Sequence, residues 1–320
     1  MRHNPHDRTG FTLIELLVVI SIIGLLISIL LPSLGKARDS ARQIKDAANL
    51  RSIVQGLVIA GNNNGDQYPL PSLADRGDAT IVPQFSSLEK DNTGNLFSML
   101  IYDGNLPPEV CVSAGEQNPR IVKETKYQYK APEGSAFPEG ARWDPRFAGY
   151  PGEIGTTGLP PGGRRDGGTY GGVSFAHVTY FGSRSMSWKS TFDSRQAVLA
   201  NRGPQYAGNP GRWSLKPGPS GQLSVRNRIF GSPNIWEGNI AYNDGRVAFS
   251  ARPDPDTLQS TYSTPINGQR THNDNVFVNE DSLGNPLAEG FGSDGDSALL
   301  QIFGDVNVVP NRVNLSPFAD

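Results

Sequence analysis

The most restrictive feature of this chain is an apolar run from Leu16 to Leu34 that contains no charged residue. A helix of about 20 such residues spans the hydrocarbon core of a bilayer. One carboxylate, Glu15, stands at the head of the run, four residues past Phe11. A carboxylate in lipid is costly unless paired, which marks Glu15 as a functional residue whose natural partner is a cation at the same depth.

The helix is predicted to continue past the run. Leu34, Ala37, Ala41, Ile44, Ala48, Leu50, Val54, Leu57 and Val58 recur at mixed three- and four-residue spacing, and Lys36, Arg38, Asp39, Arg42, Lys45, Asp46 and Arg51 fill most positions between. That pattern describes an amphipathic helix with one face for a globular head. Gly61 and the following Asn62-Asn63-Asn64-Gly65 stop it. A kink is expected around Gly24 and Pro32, because proline removes a backbone donor and clashes with the preceding turn. The expected division is a leader at 1–10, a transmembrane helix at 11–34, an amphipathic extension at 35–60 and a head at 61–320.

Residues 3–34 resemble the signal segment of type IV pilins and of type II secretion pseudopilins: a short charged leader ending in Gly10, then Phe11-Thr12-Leu13-Ile14-Glu15 and an apolar helix with Gly24 and Pro32. The resemblance implies cleavage between Gly10 and Phe11 by a prepilin peptidase and N-methylation of Phe11. It also implies pairing of Glu15 with the Phe11 amine of a neighbouring subunit. An ordinary secretory signal is the competing reading, with Arg2 and Arg8 as its basic region and Ser33-Leu34-Gly35 as its cleavage site. Against it, the run is too long, and a discarded peptide has no use for Glu15. Lys36, Arg38, Arg42 and Lys45 outnumber Arg2 and Arg8 across the run, so the inside-N orientation rests on the resemblance.

The net charge of −2 shows no basic stripe for nucleic acid. The 37 glycines, 25 prolines and low charge favour a loop-rich β head over a helical bundle. The expected class is therefore α+β, a long N-terminal helix packed on a mainly antiparallel β head. Cys111 is the one cysteine, so no intrachain disulfide forms, and it reads as a small buried apolar residue. Residues 95–102 suggest a short helix, and the proline- and glycine-punctuated stretch 130–172 suggests an extended surface insertion.

Strands are predicted near 173–181, 196–200, 239–242, 246–249, 276–278, 299–303 and 306–309. Asn243-Asp244-Gly245 is the clearest hairpin signal, suited to a type I′ turn. That hairpin and its surroundings, with Asn49-Leu50-Arg51-Ser52-Ile53 and Gly65-Asp66-Gln67-Tyr68-Pro69, resemble prepilin-like proteins with a C-terminal His-x9-Asp-Gly pattern. Here Asn234 takes the histidine's place.

Catalytic signals are weak. Gly290-Phe291-Gly292-Ser293-Asp294-Gly295 has the glycine spacing of a dinucleotide loop but lacks a strand–loop–helix setting. Asp294 and Asp296, with Ser293, Asp274, Asn275, Asn279, Glu280 or Asp281, offer hard oxygens suited to Ca2+, which resembling pseudopilins hold in a C-terminal loop. His177 reads as a sheet residue, and Arg76-Gly77-Asp78 as a chance tripeptide. The expected function is a non-enzymatic structural subunit of a pilus or pseudopilus, anchored by one span in the bacterial inner membrane with its head in the periplasm or an external filament. Its expected partners are the prepilin peptidase and other pilin-type subunits. The alternative is a membrane-tethered exported binding domain, with Trp143, Trp188, Trp213 and Trp236 available to a carbohydrate.

Overall fold

The computed structural model describes residues 11–153, 164–231, 234–287, 297–310 and 312–318. The chain divides into two units, 1–42 and 43–320. Helix α1, Leu13–Asn62, passes through Gly24 and Pro32 without interruption. Its stretch from Leu16 to Leu34 is apolar and exposed, long and apolar enough to cross a membrane.

In the second unit the rest of α1 buries one stripe: Asp46, Asn49, Leu50, Ile53, Val54, Leu57 and Gly61. The spacing is that of one helix face, and each large apolar member contributes about 1.5–3 kcal/mol on burial. Ile44 and Ala48, placed on the apolar face by spacing, are exposed. Gly56 lies so close to a loop that a Cβ there would meet the Asn105 carbonyl oxygen at 2.9 Å.

Two further helices follow, α2 at Pro71–Ala74 and α3 at Thr93–Tyr102. Asn92 caps α3 by accepting from the Asn95 amide at 2.9 Å. The strands in chain order are β1 (Phe175–Val178), β2 (Ala197–Asn201), β3 (Tyr206–Asn209), β4 (Arg212–Leu215), β5 (Gly238–Tyr242) and β6 (Val247–Ser250). Then come β7 (Gln259–Ile266), β8 (Gln269–Asn273), β9 (Leu300–Gln301), β10 (Phe303–Val309) and β11 (Arg312–Pro317).

Five strands form an antiparallel sheet in the order β6-β5-β2-β1-β9, while β3–β4, β7–β8 and β10–β11 are separate two-stranded ribbons. The class is α+β, as expected. The three central strands β1, β2 and β5 are buried along their whole length, so both faces of the sheet are covered. One core takes in Leu50, Ile53 and Leu57 of α1, Phe97 and Ile101 of α3, and Phe175, Leu199 and Ile240 of the sheet.

Three expectations change on contact with the structure. Residues 276–278 are buried but form no strand. Among its described residues the stretch 130–172 has no helix or strand beyond short 3-10 turns, yet it is not confined to the surface: Trp143 and Phe147 enter the core. Buried Arg164 anchors it, donating to the carbonyls of Pro145 (2.9 Å) and Phe147 (2.8 Å) and to Glu153 (2.7 Å). Third, the β5–β6 hairpin closes with three residues, in which only Gly245 is left-handed (φ +81°). The Gly245 amide donates to the Tyr242 carbonyl at 3.0 Å. That is the loop with a glycine bulge rather than the two-residue type I′ turn. The first loop residue is Asn243, whose side chain is buried: it accepts from the Tyr68 hydroxyl at 2.7 Å and donates to the Lys189 carbonyl at 2.8 Å.

Asp46, read from sequence as part of the polar face, is fully buried. Its carboxylate accepts from the Ser113 hydroxyl, from the Ala114 amide at 2.6 Å and from Asn201 Nδ2 at 2.9 Å. Asn201 Oδ1 accepts from the Asn239 amide at 2.8 Å, and Asn239 Nδ2 returns to the Gln43 carbonyl at 3.1 Å. The circuit ties the helix to β2, β5 and the loop at 113–114. Asp46→Ala strands these donors in the core, so the head should lose about 2–4 kcal/mol. Asp46→Asn, which keeps one acceptor, should lose less. Urea unfolding of the two variants checks both.

Candidate functional site

At the start of α1, Thr12 and Glu15 satisfy each other. The Thr12 amide and hydroxyl donate to Glu15 Oε2 at 2.9 and 2.8 Å, and the Glu15 amide donates to Thr12 Oγ1 at 3.2 Å. This is a capping box, which meets two of the amide donors that a helix start leaves open. The positive end of the helix dipole also favours a carboxylate there. Among the described residues nothing bonds to Oε1, so one oxygen of Glu15 stays available to a cation. Phe11 is exposed beside it. Gly10 lies outside the described residues.

The candidate chemistry of the head resolves differently. His177 is buried in β1, with Nδ1 2.9 Å from the Val178 carbonyl and Nε2 2.8 Å from Thr93 Oγ1. A carbonyl only accepts, so Nδ1 carries the proton and Nε2 accepts from the Thr93 hydroxyl. Thr93 Oγ1 in turn accepts from the Phe303 amide at 3.0 Å. Burial lowers the His177 pKa to about 4. The imidazole is thus neutral and committed on both nitrogens, the satisfied sheet residue expected from its setting. Cys111 is buried, and burial raises its thiol pKa.

Asp78 of the Arg-Gly-Asp tripeptide reaches Lys90 Nζ at 2.6 Å, and Asp75 reaches the same buried ammonium at 2.9 Å. The tripeptide is used internally. Asp244 is exposed and accepts from the Arg246 amide at 2.9 Å, a turn role. Asn234 is exposed. Asp294, Asp296 and the glycine loop around them lie outside the described residues. Among the described residues no group of three or more His, Cys, Asp and Glu side chains is arranged to hold a metal ion.

Two residues named from sequence as candidate calcium ligands, Asp274 and Glu280, form a buried acidic pair. Glu280 and Asp274 are both in the interior, and among the described residues Glu280 Oε1 and Asp274 Oδ1 have no hydrogen-bond partner. The Tyr262 hydroxyl donates to Glu280 Oε2, and the Ala298 amide donates to Asp274 Oδ2 at 2.7 Å. Desolvation, reinforced by Asp274 and Asp281, pushes the Glu280 pKa up to about 8. Desolvation likewise pushes Asp274 up to about 6. Sequence groups both with hard-oxygen donors for a cation, and no local pattern marks them as turned inward.

Comparison with known proteins places the N-terminal segment. The prokaryotic N-terminal methylation motif matches residues 5–31. Over 52 residues the chain is 42% identical to the type IV major pilin protein PilA of Myxococcus xanthus (strain DK1622), a match covering 16% of this chain and 23% of that protein. No solved structure gives a significant match. Among the described residues one helix is long and apolar enough to cross a membrane, and the unit at 43–320 is α+β. The methylation motif and the pilin match make the N-terminal segment of this chain type IV pilin-like.

The acidic pair sets a pH dependence. A carboxyl group whose pKa rises on folding binds more protons folded than unfolded, so the stability tied to its proton is complete below its unfolded pKa and is lost as pH rises through its folded pKa. For Glu280 the window runs from 4.5 to about 8. One such proton gives a slope of up to about 1.4 kcal/mol per pH unit. Glu280→Gln should flatten the fall in melting temperature between pH 6 and pH 8 while leaving the far-ultraviolet circular dichroism unchanged.

Proposed function

We propose that this protein is a structural subunit of a type IV pilus or type II secretion pseudopilus. In this reading a prepilin peptidase cuts after Gly10, Phe11 is N-methylated, and residues 11–34 hold the subunit in the bacterial inner membrane. The head lies in the periplasm or, after assembly, on the filament. The observation that carries the proposal is the methylation motif over residues 5–31. The pilin match supports it.

Assembly would use the carboxylate oxygen that the capping box leaves over. A Phe11 amine from a neighbouring subunit would pair with Glu15 Oε1 while Oε2 remains on Thr12. In hydrocarbon each charge alone is expensive, so a pair that satisfies both fixes the axial register of adjacent helices. No catalytic step belongs to this mechanism, which is polymerisation of pre-folded subunits.

Intact mass and N-terminal sequencing of protein from its native membrane should give a chain that begins at methylated Phe11. A start at Lys36 would instead mean conventional secretion and end the filament reading. Glu15→Ala should still be cut after Gly10 but be missing from sheared filaments, whereas normal incorporation would remove Glu15 from the assembly step.

A further inference from the structure

The four tryptophans separate cleanly. Trp143, Trp188 and Trp236 are buried in the core, while Trp213 is only partly buried. Trp213 belongs to β4, in the two-stranded β3–β4 ribbon that no described strand extends. Directly opposite it in the register is Gly208, so the facing position supplies no side chain to cover the ring. Among the described residues its indole Nε1, shielded from solvent, has no hydrogen-bond partner, as is also true of Trp143 Nε1. Buried tryptophan N–H groups ordinarily find one.

Around Trp213 runs an open groove of about 530 Å3, within the size range of small-ligand sites. Gln222, Asn234, Arg252 and Asp254 line it with the indole. We propose that this groove is a binding site for a neutral, polyhydroxylated sugar chain. The apolar face of a sugar ring packs on an aromatic face. Sugar hydroxyls both donate and accept, and the lining matches this: the amides of Gln222 and Asn234 do both, and the Asp254 carboxylate accepts. Asn234, the residue that stands where the resembling C-terminal pattern has histidine, thereby has a place in a site.

Single-stranded nucleic acid also stacks on aromatic rings, but it needs a groove with excess positive charge. Here Arg252 is matched by Asp254 at 3.7 Å and by a closer contact to Asp256, which among the described residues leaves Arg212 as the unmatched lining charge. One cation is too few to track a phosphate backbone. The inference goes beyond the filament reading and does not depend on it, since the groove lies wholly within the head.

The test uses the full chain in a zwitterionic detergent without a sugar headgroup. Cellohexaose, chitohexaose and maltohexaose are titrated by calorimetry and by tryptophan fluorescence. At least one should bind at millimolar or lower concentration and shift the emission, with binding weakened about tenfold or more in Trp213→Ala. Asn234→Ala, which leaves the ribbon's strands untouched, should weaken binding severalfold with an unchanged melting temperature. Absence of binding by all three sugars, or binding indifferent to both variants, overturns the proposal. Binding of oligothymidylate with the same Trp213 dependence, in place of the sugars, overturns it in favour of nucleic acid. Failure of the filament reading would show instead in the N-terminal mass and in incorporation of Glu15→Ala.

Discussion

The head depends on one buried carboxylate. Asp46 is the point where the helix, two central strands and the 113–114 loop share hydrogen bonds, and no cation is among its bonding partners. Burial pushes its pKa up, while the Ser113, Ala114 and Asn201 donors pull the other way. Apolar contacts along Leu50, Ile53, Val54 and Leu57 supply most of the free energy, but they are tolerant of sliding and rotation. A hydrogen-bonded carboxylate is not tolerant. The circuit through Asn201 and Asn239 back to the Gln43 carbonyl therefore sets where along the helix the head begins. Gly56, whose backbone lies against Asn105, permits the close approach that this position demands.

Regular periodicity made the outline legible. The apolar run, the Gly61 stop and the presence of a hairpin at Asp244-Gly245 all follow local rules, although the turn itself took the glycine-bulge form. The ribbons were harder. Strand β7 reads Gln-Ser-Thr-Tyr-Ser-Thr-Pro-Ile, with little apolar alternation, because most of it faces solvent on both sides. The stretch around Trp143 and Phe147 was opaque for the opposite reason. Its aromatics are buried from irregular backbone, where no period exists to reveal them.

The candidate sites divide along the same line. Glu15 stood out because a charge at the edge of an apolar run has no ordinary explanation. Asp46 did not, because a charged residue among lysines and arginines reads as solvent face. Its register was nevertheless available: 46, 49, 50, 53, 54 and 57 form one stripe, and the polar residue at its start simply belongs to it. Asn243 was correctly placed in a turn, yet its reach to Tyr68 and Lys189 is long-range information that no local pattern carries.

The lone cysteine carries a consequence for where this head can exist. Cys111 is sealed in the core and its thiol is held protonated by burial, so it is a poor nucleophile and a poor substrate for oxidants. Cohesion comes instead from apolar packing, buried amides and internal ion pairs such as Lys90–Asp75 and Arg164–Glu153. None of these responds to thiol–disulfide poise. The fold is blind to the redox difference between the two sides of a membrane, and it needs no oxidase or isomerase to reach its final form on either.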